Sequence, residues 1–122
     1  MGLPDSGDQI LLLHNPKCSK SRTVLGLLEE RGIDFETRLY LEDPLSLGEL
    51  EDLAGRLAKR PIELTRTGQA EFADAGLTPE SSDAQILEAM VAVPILMQRP
   101  ILIRGARAAI GRPPEDVLAL LD

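Results

Sequence analysis

The sequence predicts an α/β fold in which a βαβ unit and a later ββα unit form one mixed β-sheet, with a helical insert between the halves. Two observations predict it: short apolar runs bounded by turn residues occur near both ends of the chain, and helical spacing dominates residues 44–93 between them. A chain of 122 residues has the length of one domain. We therefore expect a single domain over residues 1–122, with a disordered leader over residues 1–8.

The first 40 residues predict the βαβ unit. The apolar run "QILLL" favours a buried, central strand over residues 9–13, and the alternation in "DFETRLYL" favours a second strand over residues 34–40. Between them lies an amphipathic helix that stops at Gly32. Its apolar face is formed by Val24, Leu25, Leu27 and Leu28. Because a helix connects the two strands, we expect them to be parallel.

The insert predicts three helices. The first, "SLGELEDLAGRLAK", begins with a capping box, in which Ser46 precedes the helix and Glu49 follows three residues later. The segments "QAEFADAGL" and "SDAQILEAMVAV" predict two more, the second capped by Ser82 or Asp83.

The last part of the chain predicts a β-hairpin and a helix. "PILIRGARAAIG" favours strands at 101–103 and 106–110 with a turn at Arg104-Gly105, and "PPEDVLALL" favours a helix that begins at proline. The element order is therefore that of a thioredoxin-like fold with a helical insert.

Charge and composition exclude several classes of function. The net charge of -7 argues against binding nucleic acid, and no apolar run approaches the ~20 residues that cross a bilayer. The N-terminus "MGLPDSGDQI" lacks the features of a secretory signal, and a lone cysteine suits a reducing compartment. We expect a cytoplasmic protein with no membrane partner. Any anion site would need a local cluster of positive charge.

The segment "HNPKCSKSR" contains the only cysteine and the only histidine of the chain. Cys18 falls where the first strand ends and the first helix begins, so unpaired backbone N–H groups and the helix dipole favour its thiolate. Lys17, Lys20 and Arg22 add positive charge nearby. These surroundings favour a reactive nucleophile over a buried, inert cysteine.

Ser21 occupies the second cysteine position of a C-x-x-C redox motif. With no other thiol in the chain, turnover at Cys18 would require an external thiol, such as glutathione or a partner protein. The Ser21 side chain could donate a hydrogen bond to the sulfur or cap the first turn of the helix.

His14 has a catalytic and a structural interpretation. It could orient or deprotonate the Cys18 thiol, or lower the thiol pKa when protonated. It could equally bind a loop carbonyl at the end of the strand.

Two other kinds of site are excluded by spacing. A C-x5-R phosphate loop would need arginine at position 24, which is Val24. A zinc site needs three or four ligands, and one cysteine with one histidine falls short. We expect no metal and no bound cofactor.

Three arginines are candidates for holding an oxyanion, because a guanidinium binds such groups in bidentate fashion. Arg99 precedes Pro100, where the thioredoxin-like fold places a cis-proline that faces the cysteine. Arg112 precedes Pro113 at the end of the hairpin, and Arg66 lies on the insert. The alternative for each is an ordinary surface charge.

An ordered set of motifs resembles the glutaredoxin-coupled arsenate reductases of the ArsC type. The motifs are "HNPKCSKSR", "LYLEDP", "ELTRTGQAEFADAGL", "QRPILI" and "IGRPPE", and they span nearly the whole chain. The resemblance implies a thioredoxin-like fold with a helical insert. It implies a nucleophile at Cys18 supported by His14 and Ser21, and an oxyanion site formed by Arg66, Arg99 and Arg112.

The resemblance also implies a reaction. The Cys18 thiolate would attack arsenate, glutathione as co-substrate would resolve the adduct, and glutaredoxin would be the protein partner as arsenite leaves. We expect a monomeric enzyme. The alternatives are an Spx-like thiol-based transcriptional regulator, whose usual C-x-x-C switch Ser21 removes, and a glutathione-dependent thiol reductase acting on another substrate.

Overall fold

The computed structural model describes residues 3–4 and 7–121. Their internal contacts divide them into two compact units, one formed by the segments up to residue 43 and from residue 99 onward, the other by Pro44–Gln98. The first unit contains the β-sheet and the second is helical. That the chain forms a single domain stays a prediction.

A four-stranded mixed sheet forms the first unit. Its strands are β1 (Ile10–His14), β2 (Glu36–Leu39), β3 (Ile101–Arg104) and β4 (Arg107–Ile110), in the order β2-β1-β3-β4. Strand β1 pairs in parallel with β2 and antiparallel with β3, and β3 pairs antiparallel with β4. The predicted mixed sheet and the central position of the first strand are confirmed.

Two helices cover this sheet. Helix α1 (Ser19–Glu30) connects β1 to β2, and the helix after β4 is a 3-10 helix, Pro114–Leu120. Their apolar faces form a core with the sheet, because burying such side chains is the main stabilising contribution to folding. Its fully buried members include Leu12, Val24, Leu28, Leu102 and Val117.

The hairpin turn differs from the prediction by one residue. Strand β3 continues through Arg104, so the turn is Gly105-Ala106 rather than Arg104-Gly105. Gly105 occupies the first turn position because the backbone there has a φ of 56°, which glycine adopts more easily than other residues. A Cβ at this position would also clash with the Gly7 carbonyl.

The predicted leader is described only in part. Residues 1, 2, 5 and 6 lie outside the described residues. Asp8 pairs with Arg104 at 2.9 Å beside the hairpin turn. The predicted disorder of the leader stays a prediction.

The helical unit contains the predicted helices and two short 3-10 helices that were not predicted. The elements are α2 (Leu47–Leu57), 3-10 helix Pro61–Leu64, α3 (Ala70–Asp74), α4 (Asp83–Ala92) and 3-10 helix Pro94–Leu96. The Ser46–Glu49 capping box is present, and Ser82, not Asp83, caps α4. Each unpredicted helix begins at a proline, whose fixed φ suits a first helical position. In the described part of the chain, no helix is long and apolar enough to cross a membrane.

Candidate active site

The ends of three strands meet at one edge of the sheet. Leu13 of β1 pairs with Ile101, the first residue of β3, while His14 pairs with Leu39, the last residue of β2. The loop that follows β1 leads to Cys18, and Arg99 and Pro100 immediately precede β3. The topology therefore brings the candidate thiol and the Arg99-Pro100 segment to the same edge.

Cys18 is the N-cap residue of α1. Its backbone is extended (φ -96°, ψ 122°), and its half-buried sulfur lies at the start of the helix. Burial by itself raises the pKa of the Cys18 thiol, but hydrogen bonds from the Ser21 and Lys20 backbone N–H groups and from the Arg99 guanidinium lower it. Together these effects place the pKa of the Cys18 thiol below its ordinary value, which favours the thiolate.

Asn15 holds the loop that carries the thiol, and sequence analysis did not identify it. Its side-chain Oδ1 accepts the Lys17 N–H at 3.0 Å, and its carbonyl accepts the Cys18 N–H at 3.0 Å. Its own N–H donates to the Ser21 hydroxyl at 3.0 Å, and the residue is only 5% exposed. The Asn-Pro dipeptide was the available signal, because asparagine before a turn commonly bonds to the backbone two residues on.

The Ser21 hydroxyl is directed to His14. Ser21 Oγ lies 2.6 Å from His14 Nδ1 and also accepts the Asn15 N–H. Both side chains are buried. Among the described residues these are the hydrogen bonds of the serine hydroxyl, whereas the Ser21 backbone N–H lowers the pKa of the Cys18 thiol.

The surroundings of His14 favour its neutral form. Burial, and then the positive charge of Arg22, lower the pKa of His14 below its ordinary value. A neutral imidazole contributes no positive charge to the thiolate. The structure places His14 Nδ1 in contact with the Ser21 hydroxyl, and the catalytic roles of His14 and Ser21 stay predictions.

Arg99 presents free donors beside the thiol. Its Nε and Nη1 atoms are buried and make no hydrogen bond within the described part of the chain. Its carbonyl accepts a hydrogen bond from Arg112 Nε at 2.9 Å, so the two predicted arginines lie next to each other. The Arg99–Pro100 peptide bond is cis, as expected.

The remaining basic candidates have other positions. Arg22 is exposed, and its Nη1 donates to the Pro16 carbonyl at 2.8 Å, so it supports the loop. Arg66 lies in the helical unit, where its N–H donates to the Leu96 carbonyl at 2.7 Å. The assignment of Arg66 to the oxyanion site stays a prediction.

This arrangement combines a nucleophile with an anion site. A half-buried thiolate at a helix N-terminus can attack an electrophilic centre, and unpaired guanidinium donors beside it can hold negatively charged oxygens. The site is suited to covalent chemistry on an oxyanion.

Comparison with known proteins places this site in a family. The model of the ArsC family matches residues 13–120. The chain belongs to the ArsC family.

Relatives in the ArsC family match the chain over almost its full length. An uncharacterised Escherichia coli protein, YfgD, is 42% identical over 115 residues, covering 93% of this chain and 97% of YfgD. A Neisseria meningitidis protein named arsenate reductase is 39% identical, covering 93% of this chain and 98% of its own.

A solved ArsC-type structure confirms the fold. The arsenate reductase from Vibrio cholerae superposes with a TM-score of 0.87 at 36% identity, covering 93% of this chain and 98% of that one. The predicted thioredoxin-like α/β fold is therefore confirmed.

Proposed function

We propose that this protein is an arsenate reductase in which Cys18 is the nucleophile and Arg99 and Arg112 hold the oxyanion. The observation that carries the proposal is the pairing of a thiol whose pKa is lowered with a guanidinium whose buried Nε and Nη1 are unpaired among the described residues. Relatives named arsenate reductase support the choice of oxyanion.

The first step forms a covalent adduct. The Cys18 thiolate attacks arsenic(V), an S–As bond forms, and one As–O bond breaks, with the oxygen leaving as water after it takes up two protons. The arginine donors stabilise the negative oxygens as they gain charge, which is the role of an oxyanion hole. Arsenic is not yet reduced.

The second step is the reduction. The thiolate of glutathione attacks the Cys18 sulfur, an S–S bond forms, and the S–As bond breaks with its electron pair remaining on arsenic. Arsenic(V) becomes arsenic(III) and leaves as arsenite, while two thiols become one mixed disulfide. Glutaredoxin then removes the glutathionyl group and restores the Cys18 thiolate.

An external thiol is required because Cys18 is the only cysteine of the chain. Glutathione is the co-substrate and no resident cofactor takes part. A cytoplasmic location would supply both glutathione and glutaredoxin, because the cytosol keeps thiols reduced. We propose that the enzyme acts there as a monomer.

The test is arsenate-dependent NADPH consumption in an assay coupled through glutathione, glutaredoxin and glutathione reductase. The wild-type protein should show a rate that depends on arsenate, and Cys18→Ser should abolish it. Mass spectrometry of the wild-type protein after single turnover should find one glutathionyl group on Cys18.

Two results would count against the proposal. Absence of any arsenate-dependent rate with the wild-type protein would exclude arsenate as the substrate. If the protein reduces a mixed disulfide of glutathione, and Arg99→Gln does so at the same rate as the wild-type protein, the protein is instead a thiol reductase. Thiol exchange does not need the oxyanion donors.

A further inference from the structure

A cleft of about 340 Å³ lies beside the thiol-bearing loop, on the side of β2. Its lining includes His14 and Lys17 from β1 and the following loop, and Leu39, Leu41 and Glu42 from the end of β2 and the following turn. A volume of this size falls within the range of small-molecule sites, roughly 300–1,000 Å³. Neither step of the proposed reaction uses this cleft.

The β2 wall of the cleft is already ordered. The backbone N–H groups of Glu42 and Asp43 donate to the Leu39 carbonyl at 2.9 and 2.8 Å. Arg38, only 4% exposed, donates through Nε to the Asp43 carbonyl at 3.0 Å and lies 3.3 Å from its carboxylate. A ligand would therefore meet a preformed wall, which lowers the entropy lost on binding.

The surface of the cleft is apolar with one charge of each sign. Leu39 and Leu41 are 36% and 38% exposed, which places two of the four exposed large hydrophobic residues of the described chain in one cleft. Lys17 and Glu42 are exposed, and neither forms an ion pair within the described residues. Such a surface suits a small zwitterion with aliphatic segments.

The sheet order separates this cleft from the arginines. Strand β2 lies on one side of β1, and β3 lies on the other. The cleft therefore approaches the loop of Cys18 from the β2 side, whereas Arg99 approaches it from the β3 side.

We propose that this cleft binds the second thiol substrate, a zwitterionic peptide thiol of the glutathione kind. Lys17 pairs with a carboxylate, Glu42 pairs with the ammonium group, and Leu39 and Leu41 contact the aliphatic segments. The inference rests on the proposed function in one respect, namely that an external thiol resolves the Cys18 adduct.

The arrangement suits the second step of the reaction. Thiolate attack on a sulfur requires the leaving atom to lie opposite the attacking one. A thiol held on the β2 side would attack Cys18 Sγ while the arginines on the β3 side hold the departing arsenite. Both substrates could then occupy the site together.

The experiment separates glutathione binding from arsenate chemistry. S-Methylglutathione, which cannot react, is titrated into wild-type protein, Leu41→Ser and Glu42→Lys, with binding followed by NMR chemical shifts. In parallel, the KM for glutathione and the KM for arsenate are measured in the coupled assay. The matched control is Leu47→Ser, because Leu47 is 40% exposed and lies outside the cleft.

Loss of the Leu41 contact or reversal of the Glu42 charge should raise the KM for glutathione about fivefold or more, since each removes roughly 1 kcal/mol of binding. The KM for arsenate should be unchanged, as should both constants in the control. The neutral thiol 2-mercaptoethanol, used in place of glutathione, should not distinguish Glu42→Lys from the wild-type protein.

The outcomes are distinguishable. Failure of S-methylglutathione to bind the wild-type protein, or equal binding by both cleft variants and the wild-type protein, overturns the cleft proposal even if arsenate is reduced. Binding that is weakened in both cleft variants supports it even if arsenate is not a substrate. Thermal melting of each variant confirms that these exposed substitutions leave the protein folded.

Discussion

Replacing Arg99 with glutamine tests the link between the thiol and the oxyanion site. In the proposed site Arg99 has two roles: its guanidinium lowers the pKa of the Cys18 thiol, and its buried Nε and Nη1, which are unpaired within the described residues, hold the oxyanion. Each charge-assisted hydrogen bond to a bound oxyanion contributes about 1.5–3 kcal/mol. Loss of two such bonds therefore predicts a fall in arsenate-dependent kcat of about 10²-fold or more.

The assay has two readouts. Arsenate-dependent kcat should fall, and the rate of Cys18 alkylation by iodoacetamide below pH 7 should also fall, because the thiol pKa rises without the guanidinium. Arg107→Gln is the matched control, since Arg107 is an exposed arginine of β4. A variant Arg99→Gln with the same kcat and alkylation profile as Arg107→Gln would refute the assignment.

Four further predictions follow from the same contacts. Asn15→Ala should slow Cys18 alkylation near neutral pH, because the loop before α1 loses the hydrogen bond between the Lys17 N–H and Asn15 Oδ1. An alkylation profile like that of the wild-type protein would contradict this. Folding lowers the pKa of His14 from 6.5, so protonation below that value favours the unfolded state. The free energy of unfolding, measured with urea, should therefore fall between pH 7.5 and pH 5.5. The fall should be smaller in His14→Gln. Ser21→Cys should lower the free energy of unfolding by about 1–3 kcal/mol, since the hydroxyl bonds are lost. A urea midpoint of this variant equal to that of the wild-type protein would contradict the stabilising role of the hydroxyl. Ala58→Gly should raise the free energy of unfolding by about 0.5–1 kcal/mol, because Ala58 caps α2 at φ 55°, where a Cβ is strained; an unchanged urea midpoint would argue against strain.

Local patterns predicted the elements whose signals are local. The Ser46–Glu49 capping box requires only residues three apart, and it formed as predicted. The predicted hairpin turn was wrong by one residue, because the pairing of β3 with β4 decides which residue takes the positive φ. The 3-10 helix Pro61–Leu64 was missed because a single turn has too few residues to show a period.

The candidate site shows a similar division. The placement of Cys18 at a helix N-terminus followed from the strand-to-helix order, and the structure has it as the N-cap of α1. The partners of Ser21 could not be predicted, because the direction of its hydroxyl depends on the backbone of the loop between β1 and α1. Asn15 was missed for the same reason, since all three of its contacts are made to that loop and to Ser21.

The unpaired donors of Arg99 distinguish oxyanion chemistry from simple thiol exchange. A buried polar group without a partner destabilises the folded protein by about 1–3 kcal/mol, and Arg99 has two such nitrogens among the described residues. A protein that only exchanges thiols could lower the pKa of its cysteine with helix N–H groups alone, as the Ser21 and Lys20 amides do here. Because the chain has a net charge of -7, a bound oxyanion would need local donors to overcome the repulsion of the whole molecule. The buried Nε and Nη1 of Arg99 would meet that need, and an oxyanion that accepts their hydrogen bonds would stabilise the folded protein.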